Sequence, residues 1–390
     1  MSKARASRWM AVIGMLLAAA FVVVPARAAQ MDALSLLRAG KFQELDDYYS
    51  AFQRQFDAGK ISGDELRNEF RSFYRTDRDL EAKLDGWVRA FPKSYVARLA
   101  RAIYYKRVGF EERGEEYISK TSAERIRNMD SALGKAIRDF GASMEMERKP
   151  FLSYFHVLDI SNQYAGVPYT RQLYEKAVAL SPTSFGLRLK FMKALEAKWG
   201  GSLQEMRAFM EECRNAHLPD PQLHQLQAMV YEDEGWEDVN YHNDLVGAEA
   251  AYRKALEQAA NECETCVHAD TALILVLMKL GKYADAISYL NSYLRAHPGD
   301  LWALANRGTS YMQSGSPREA IADWNQAAAA GDDYSEYRLG MAYMTGIPGI
   351  LEGDTKIGVE WLRKSAEQGN ADAKRSLPWP PGSQAQPRAD

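Results

Sequence analysis

The 390-residue chain is poor in the residues from which catalytic centres and metal sites are assembled: it has three cysteines and six histidines. None of the histidines, at positions 156, 217, 224, 242, 268 and 297, belongs to a His-Glu-x-x-His pair. His217 and His224 are kept off a shared helix by Pro219 and Pro221. No Gly-x-Ser-x-Gly elbow and no Gly-x-x-x-x-Gly-Lys-Ser/Thr loop is present, so the common signals for a serine hydrolase and for a nucleotide cradle are both missing. Excess positive charge is missing too. The formal net charge is −3, and residues 215–252 contain no Lys or Arg at all. That balance excludes the basic footprint of general nucleic-acid binding.

Long apolar runs are absent after residue 24, so no later segment is expected to span a membrane. The first 28 residues read as a secretory signal. Lys3, Arg5 and Arg8 precede an apolar and small-residue run from Met10 to Val24, and Ala26-Arg27-Ala28 supplies a small-x-small cleavage pattern. Cleavage after Ala28 removes four basic residues and no acid, taking the charge from −3 to −7. The expected location is the periplasm or the exterior, without stable membrane insertion of the mature chain. An uncleaved N-terminal anchor is the alternative.

What the chain does contain is periodic. Across residues 281–327, Gly281 recurs as Gly315, Ala286 as Ala320 and Leu290 as Trp324, each 34 residues on. Leu277 recurs as Tyr311 and Ile274 as Gly308. A fixed period of this length, with small and large residues at constant offsets, predicts stacked helix-turn-helix units. Small residues let the two helices of a unit approach, and large ones fill the space above them. The fold class is therefore all-α, an α-solenoid. Upstream, Leu34, Leu37, Phe42, Leu45, Tyr48, Tyr49 and Phe52 recur at helical steps. Helix starts are predicted at Ser62–Glu65, Ser94, Thr121–Glu124, Ser202–Glu205 and Ser316-Pro317-Arg318-Glu319. Trp199-Gly200-Gly201 before Ser202 reads as a tight helix–helix corner. The expected organisation is a signal at 1–28, a degenerate helical-repeat domain at 29–215, regular repeats at 216–376 and a flexible Pro-rich tail at 377–390. An acidic loop is expected at 232–244.

Three resemblances follow from these residues. Ala248, Tyr252 and Ala255, then Ala286, Leu290 and Tyr293, then Ala320, Trp324 and Ala327 resemble tetratricopeptide repeats. Leu339-Gly340, Tyr343, Gly346, Gly349, Asp354, Trp361, Ala366 and Glu367-Gln368-Gly369 resemble a Sel1-like repeat, the related unit with a longer inner loop. Gly358 stands where that pattern prefers Ala, which predicts a slightly looser helix pair. Trp87 with Pro92-x-Ser94, and Trp199-Gly-Gly-Ser-x-x-Glu205-Met206-x-x-Phe209, resemble an uncharacterised family of bacterial helical domains over roughly residues 35–235. That family carries no assigned activity.

The tetratricopeptide resemblance implies that the first helix of each unit lines an inner, concave face. Carried onto this chain, the face comprises His268, Thr271, Leu275, Met278 and Lys279; Trp302, Ala305, Thr309, Met312 and Gln313; and Tyr334, Tyr337, Met341 and Met344. Met278, Met312 and Met344 fall at the same offset in successive units, and a ladder of Met flanked by Trp and Tyr forms a soft, partly apolar surface suited to a helix or an extended peptide. The competing account is that the same residues pack against neighbouring helices.

Other constellations favour structural roles. The spacing of the acids between Glu232 and Asp244 matches no calcium loop, and a solvated charged loop is expected. In Cys263-x-x-Cys266, Val267 occupies the place a c-type haem needs for His, and a zinc site lacks its fourth ligand. A local disulfide or two thiols remain. No cofactor is implied. The expected function is an exported adaptor, not an enzyme, that binds a protein or peptide through the concave face of its C-terminal repeats. The alternative is a cell-envelope hydrolase with dispersed carboxylates in the N-terminal domain, signalled by a pocket and a strained carboxylate near Trp199 or Trp87.

Overall fold

The computed structural model describes residues 32–114, 121–259 and 267–377. Among them the architecture is helical, as expected, with one isolated antiparallel bridge between Ile347 and Leu351. The signal segment, Cys263, Cys266 and tail residues 378–390 lie outside the described residues. Two compact units divide the chain at Pro150, inside the segment read as one domain of 29–215, because helices after residue 150 pack with the repeats that follow.

The first unit comprises α1 (Ala33–Arg38), α2 (Phe42–Asp57), most of α3 (Gly63–Glu69), α4 (Asp79–Ala90), α5 (Tyr95–Arg113) and α6 (Ala123–Met146). Its core is aromatic. Tyr49 lies 4.7 Å from Phe70 and 5.1 Å from Phe73, and Phe73 lies 5.9 Å from the buried Trp87. Asp46 ties Trp87 to Ser94: its Oδ1 accepts from Trp87 Nε1 at 3.1 Å and from Ser94 Oγ. Ser94 in turn caps α5 by accepting from Ala97 N at 3.2 Å. Asp139 of α6 and Asp85 of α4 hold Arg101 of α5, with N···O distances of 2.7–2.8 Å. The cap of α6 is Ser122, which accepts from Arg125 N, and not the predicted Thr121.

The second unit runs through α7 (Phe151–Tyr164), α8 (Gly166–Leu180), α9 (Phe185–Ala194), α10 (Leu203–Asn215), α11 (Asp220–Glu237) and α12 (Leu245–Gln258). It continues through α13 (Val267–Lys279), α14 (Tyr283–Ala296), α15 (Leu301–Gln313), α16 (Pro317–Ala329), α17 (Asp333–Thr345), α18 (Thr355–Glu367) and α19 (Ala371–Ser376). From α10 on, each helix packs on the next. Separate buried clusters serve successive junctions. They centre on Tyr252 and Leu277, on Ile274 and Leu290, on Trp324 and Leu339, and on Leu362 and Ala366. Such an array is held by nearest-neighbour interfaces, with no single core.

The sequence period reappears as hydrogen bonding. Lys282 N donates to Leu277 O at 2.8 Å, and Ser316 N to Tyr311 O at 2.8 Å, so the two turns share one geometry. Gly281 and Gly315 sit in these turns at φ +73° and +82°. Ser202 caps α10 as predicted, accepting from Glu205 N at 3.3 Å and donating to Glu205 Oε2 at 2.9 Å. At Ser316 the side chain makes no capping bond, and Pro317 at the first helical position starts α16.

Two expectations are corrected. Residues 232–244 are not a loop. Helix α11 continues through Glu237, a π-helical turn covers Asp238–His242, and Asn243 at φ +53° ends it. Tertiary partners impose this. Gly235 lies against the Tyr252 ring, where a Cβ would come within 2.8 Å. Glu234 pairs with Arg207 at 3.2 Å, Asp238 with His242 at 3.0 Å, and Asp244 caps α12 through Val246 N and Gly247 N. Nor is the Gly358 pair loose: a Cβ there would meet Gly340 O at 2.9 Å and Met344 Cγ at 2.8 Å. The missing methyl is what lets α17 and α18 meet backbone to backbone.

Gly308 sets the same condition between α15 and α16. A Cβ at this position would lie 2.6 Å from Trp324 Nε1 and 3.1 Å from Ala320 O. Gly308→Leu is expected to destabilise the repeats by about 1–3 kcal/mol through overpacking, read as a lower urea midpoint. An unchanged midpoint would show that the indole can move aside.

Candidate partner-binding face

Helices α13, α15 and α17 are the first helices of three successive units, and they carry every candidate face residue. The starts of α15 and α17 are capped: Asp300 Oδ1 accepts from Ala303 N at 2.8 Å, and Asp332 Oδ2 from Ser335 N at 2.7 Å.

The candidates divide into two groups. His268, Leu275, Lys279 and Gln313 are exposed, Leu275 at 42%. Thr271, Met278, Trp302, Thr309, Met312, Tyr334, Tyr337, Met341 and Met344 are half-buried. Met278 packs against two neighbouring clusters at once, those of Leu277 and of Ile274. Met312 packs on the cluster of Trp324 and Leu339, and Met341 and Met344 pack with Tyr337 on that of Leu362. The methionines thus seal junctions with one side and face outward with the other. Ala305 is buried, and its carbonyl accepts from Trp324 Nε1 at 3.2 Å, so it belongs to the scaffold.

Contacts along the face are few but connected. Trp302 lies 6.1 Å from the Tyr293 ring. Thr309 Oγ1 donates to Ala305 O at 2.9 Å and lies 3.4 Å from Tyr334 Oη. The Tyr334 and Tyr337 ring centroids are 6.4 Å apart. Arg338, which offset reasoning passed over, sets its guanidinium 4.8 Å from the Trp324 ring and 6.0 Å from that of Tyr334. Its signal in the sequence is the spacing of four from Tyr334. Partial desolvation, reinforced by Lys198 and Lys193, lowers the pKa of the His268 imidazole although the residue as a whole is exposed.

At the Trp199 corner Gly200 takes φ +87°, and Asp233 of α11 accepts from Ala197 N at 3.0 Å. Asp233 is buried, and burial pushes its carboxyl up to about 6. Two surface cavities stand out among the described residues, one lined by Glu81, Tyr105 and Lys135, the other by Asn291, Leu294 and Arg307. Neither is lined by Asp233. Cys213 is buried and its thiol is pushed up to about 11, the opposite of an activated nucleophile. Among the described residues no helix is long and apolar enough to cross a membrane.

Comparison with known families agrees with this architecture. Residues 333–370 match the Sel1 repeat and residues 277–342 a tetratricopeptide repeat. Residues 27–173 match a domain of unknown function, DUF4034. This last match includes Trp87 and Pro92-x-Ser94 but stops short of the Trp199-Gly200-Gly201-Ser202 element. No curated protein matches the chain. Among solved structures, it is similar to YrrB, a tetratricopeptide protein with an unusual peptide-binding site (15% identity over 51% of this chain and 97% of YrrB, TM-score 0.32). It is also similar to a protective antigen of uropathogenic Escherichia coli with an SLR fold (17% identity, 89% and 79% coverage, TM-score 0.40). A third is a signal-transduction ATPase from Pyrococcus horikoshii with a tetratricopeptide sensor (14% identity, 85% and 52% coverage, TM-score 0.46). The chain therefore carries tetratricopeptide and Sel1 repeats, families that serve generally as non-catalytic scaffolds for protein interaction.

Proposed function

We propose that the chain is an exported adaptor that holds a protein or peptide partner on the face formed by α13, α15 and α17. One observation carries this reading: a methionine remains half-exposed at the same offset of three consecutive first helices, Met278, Met312 and Met344, with Trp302, Tyr334 and Tyr337 half-exposed on the same helices. Polarisable thioethers and aromatic rings gain dispersion against many apolar shapes, which suits a helix or an extended segment. Export rests on the segment that ends at Ala28.

The test separates face from scaffold. A photo-crosslinking residue at the exposed Leu275, in cells that export the protein, is expected to trap a partner. Trp302→Ala with Tyr337→Ala is expected to weaken that capture at least about tenfold, because buried aromatic anchors dominate such interfaces. The melting temperature should fall little, as both rings are half-exposed. Unchanged capture by the double variant would place the functional surface elsewhere.

The hydrolase alternative has one observation on its side, the raised carboxyl of Asp233. That acid is buried and accepts the Ala197 amide, so a tie across the corner accounts for it without a substrate.

A further inference from the structure

On the other side of the same repeats, α14 and α16 are second helices and take no part in the proposed face. Between them lies a cavity of about 270 Å³. It is bounded by the last turn of α14, the Pro298-Gly299 turn, Leu304 and Arg307 of α15, and Gln326 of α16. We propose that this cavity is a binding site for a carboxylate carried on a short aliphatic body.

The polar side chains that line it, Asn291, Arg295, Arg307 and Gln326, all carry N–H donors. Arg307 gives Nε and Nη2 to Asp323 at 2.8 and 2.7 Å, and Nη1 to Asn291 Oδ1 at 2.8 Å. A guanidinium has five N–H groups, so two remain. Asn291 spends its oxygen on Arg307, which leaves its amide NH₂ as the group it can offer a ligand. Arg295 is exposed and donates through Nη2 to Ser292 Oγ at 2.8 Å, with its other N–H groups uncommitted. Gln326 adds a further amide. None of the lining residues is a carboxylate; of the two nearby, Asp323 is bound in two places by Arg307 and Asp300 accepts from Ala303 N at the start of α15. An anion placed here meets one formally uncompensated charge, Arg295, and several amide and guanidinium donors.

The rest of the wall selects which anion. Leu294, Leu304 and Pro298 form an apolar floor, and Leu294 and Leu304 are themselves buried. A compact phosphate leaves that floor bare. A single carboxylate with a few methylenes uses both the donors and the floor. The group can come from a free organic acid or from a glutamate side chain of a polypeptide.

The experiment is a methyl-detected NMR titration of the full chain, reading Leu294 and Leu304. Glutarate is the free-acid probe, and a blocked peptide, acetyl-Ala-Ala-Glu-Ala-amide, presents the same carboxylate on a polypeptide. Saturable shifts of both leucines are expected, with a Kd raised about tenfold by Arg295→Gln, the loss of one charge-assisted hydrogen bond. Glutaramide, the neutral analogue, should leave the signals in place. Shifts with glutarate alone assign a small acid, and shifts with the peptide, alone or as well, assign a polypeptide side chain. The proposal is overturned if neither probe shifts the leucines at tens of millimolar, if glutaramide binds as well as glutarate, or if Arg295→Gln has no effect. Tyr337→Ala alone, whose ring packs on the Leu362 cluster and not on that of Leu294 and Leu304, should not alter these titrations, so failure here and failure of the face on α17 are read separately.

Discussion

Replacing Trp324 by alanine is expected to cost about 3–5 kcal/mol, the largest loss among the substitutions considered for the repeats. The side chain is 1% exposed and fills the space between α15, α16 and α17. Its Nε1 donates to Ala305 O at 3.2 Å, so truncation leaves a cavity and also a buried carbonyl without that donor. It also removes the ring that faces the Arg338 guanidinium at 4.8 Å. Because the array is held junction by junction, the damage should not spread evenly. Helices α17, α18 and α19 lose the neighbour on which they are stacked, and they should open first. Urea unfolding followed by circular dichroism is expected to split into two transitions, with faster amide exchange over residues 333–376. One transition at an unchanged midpoint would mean that Gly308 and its neighbours collapse into the space.

Asp233→Asn is expected to act in the opposite direction, stabilising the protein at pH 7 by about 2–3 kcal/mol. Asp233 is 4% exposed, and burial raises its carboxyl from an ordinary 3.8 to about 6. The Ala197 N–H bond and Lys198 pull the other way, while Glu196 and Glu237 add to the rise. A carboxyl whose folded pKa exceeds its unfolded pKa binds its proton more tightly in the native state. Its contribution to stability is therefore complete below about pH 4 and is lost as pH rises through about 6. Asparagine keeps an oxygen to accept from Ala197 N and carries no charge to desolvate. Unfolding free energies at pH 4.5 and 7.5 should show the variant gaining mainly at the higher pH. A loss of stability at pH 7.5 would show that Lys198 pairs with the ionised acid strongly enough to outweigh burial.

The corner, the acidic helix and the inner face were legible to different degrees. The turns at Gly281 and Gly315 could be placed because each repeat carries its own instructions: a positive-φ glycine, an alanine at the helix crossing and a large residue above it. Those residues act within one unit, so they leave a period in the sequence. The helix through Glu237 left no such trace. What holds it there is Tyr252 on the next helix and Arg207 on the preceding one, and a run of acids with a glycine reads locally as a loop. Gly358 misled for a related reason. Taken alone it weakens a helix, but opposite Gly340 it permits an approach that alanine would block.

The face residues show the same limit. Their offsets could be counted, and the structure places all of them on three first helices. Counting could not tell that Met278, Met312 and Met344 are each half engaged in a junction, nor that Ala305 is spent on Trp324. It also passed over Arg338, whose role comes from the rings it meets, and the donor-lined cavity between α14 and α16.

The amino-acid sequence by itself determined the helical class, the repeat spacing and the Sel1-like unit. These follow from periodicity and turn chemistry, which are local and additive. Only the tertiary structure decided how far α11 extends, where the compact units part, which Asp is buried at a cost, and how much of each methionine stays exposed. Those outcomes depend on what a neighbouring helix places within about 4 Å, the range over which van der Waals contact and desolvation act.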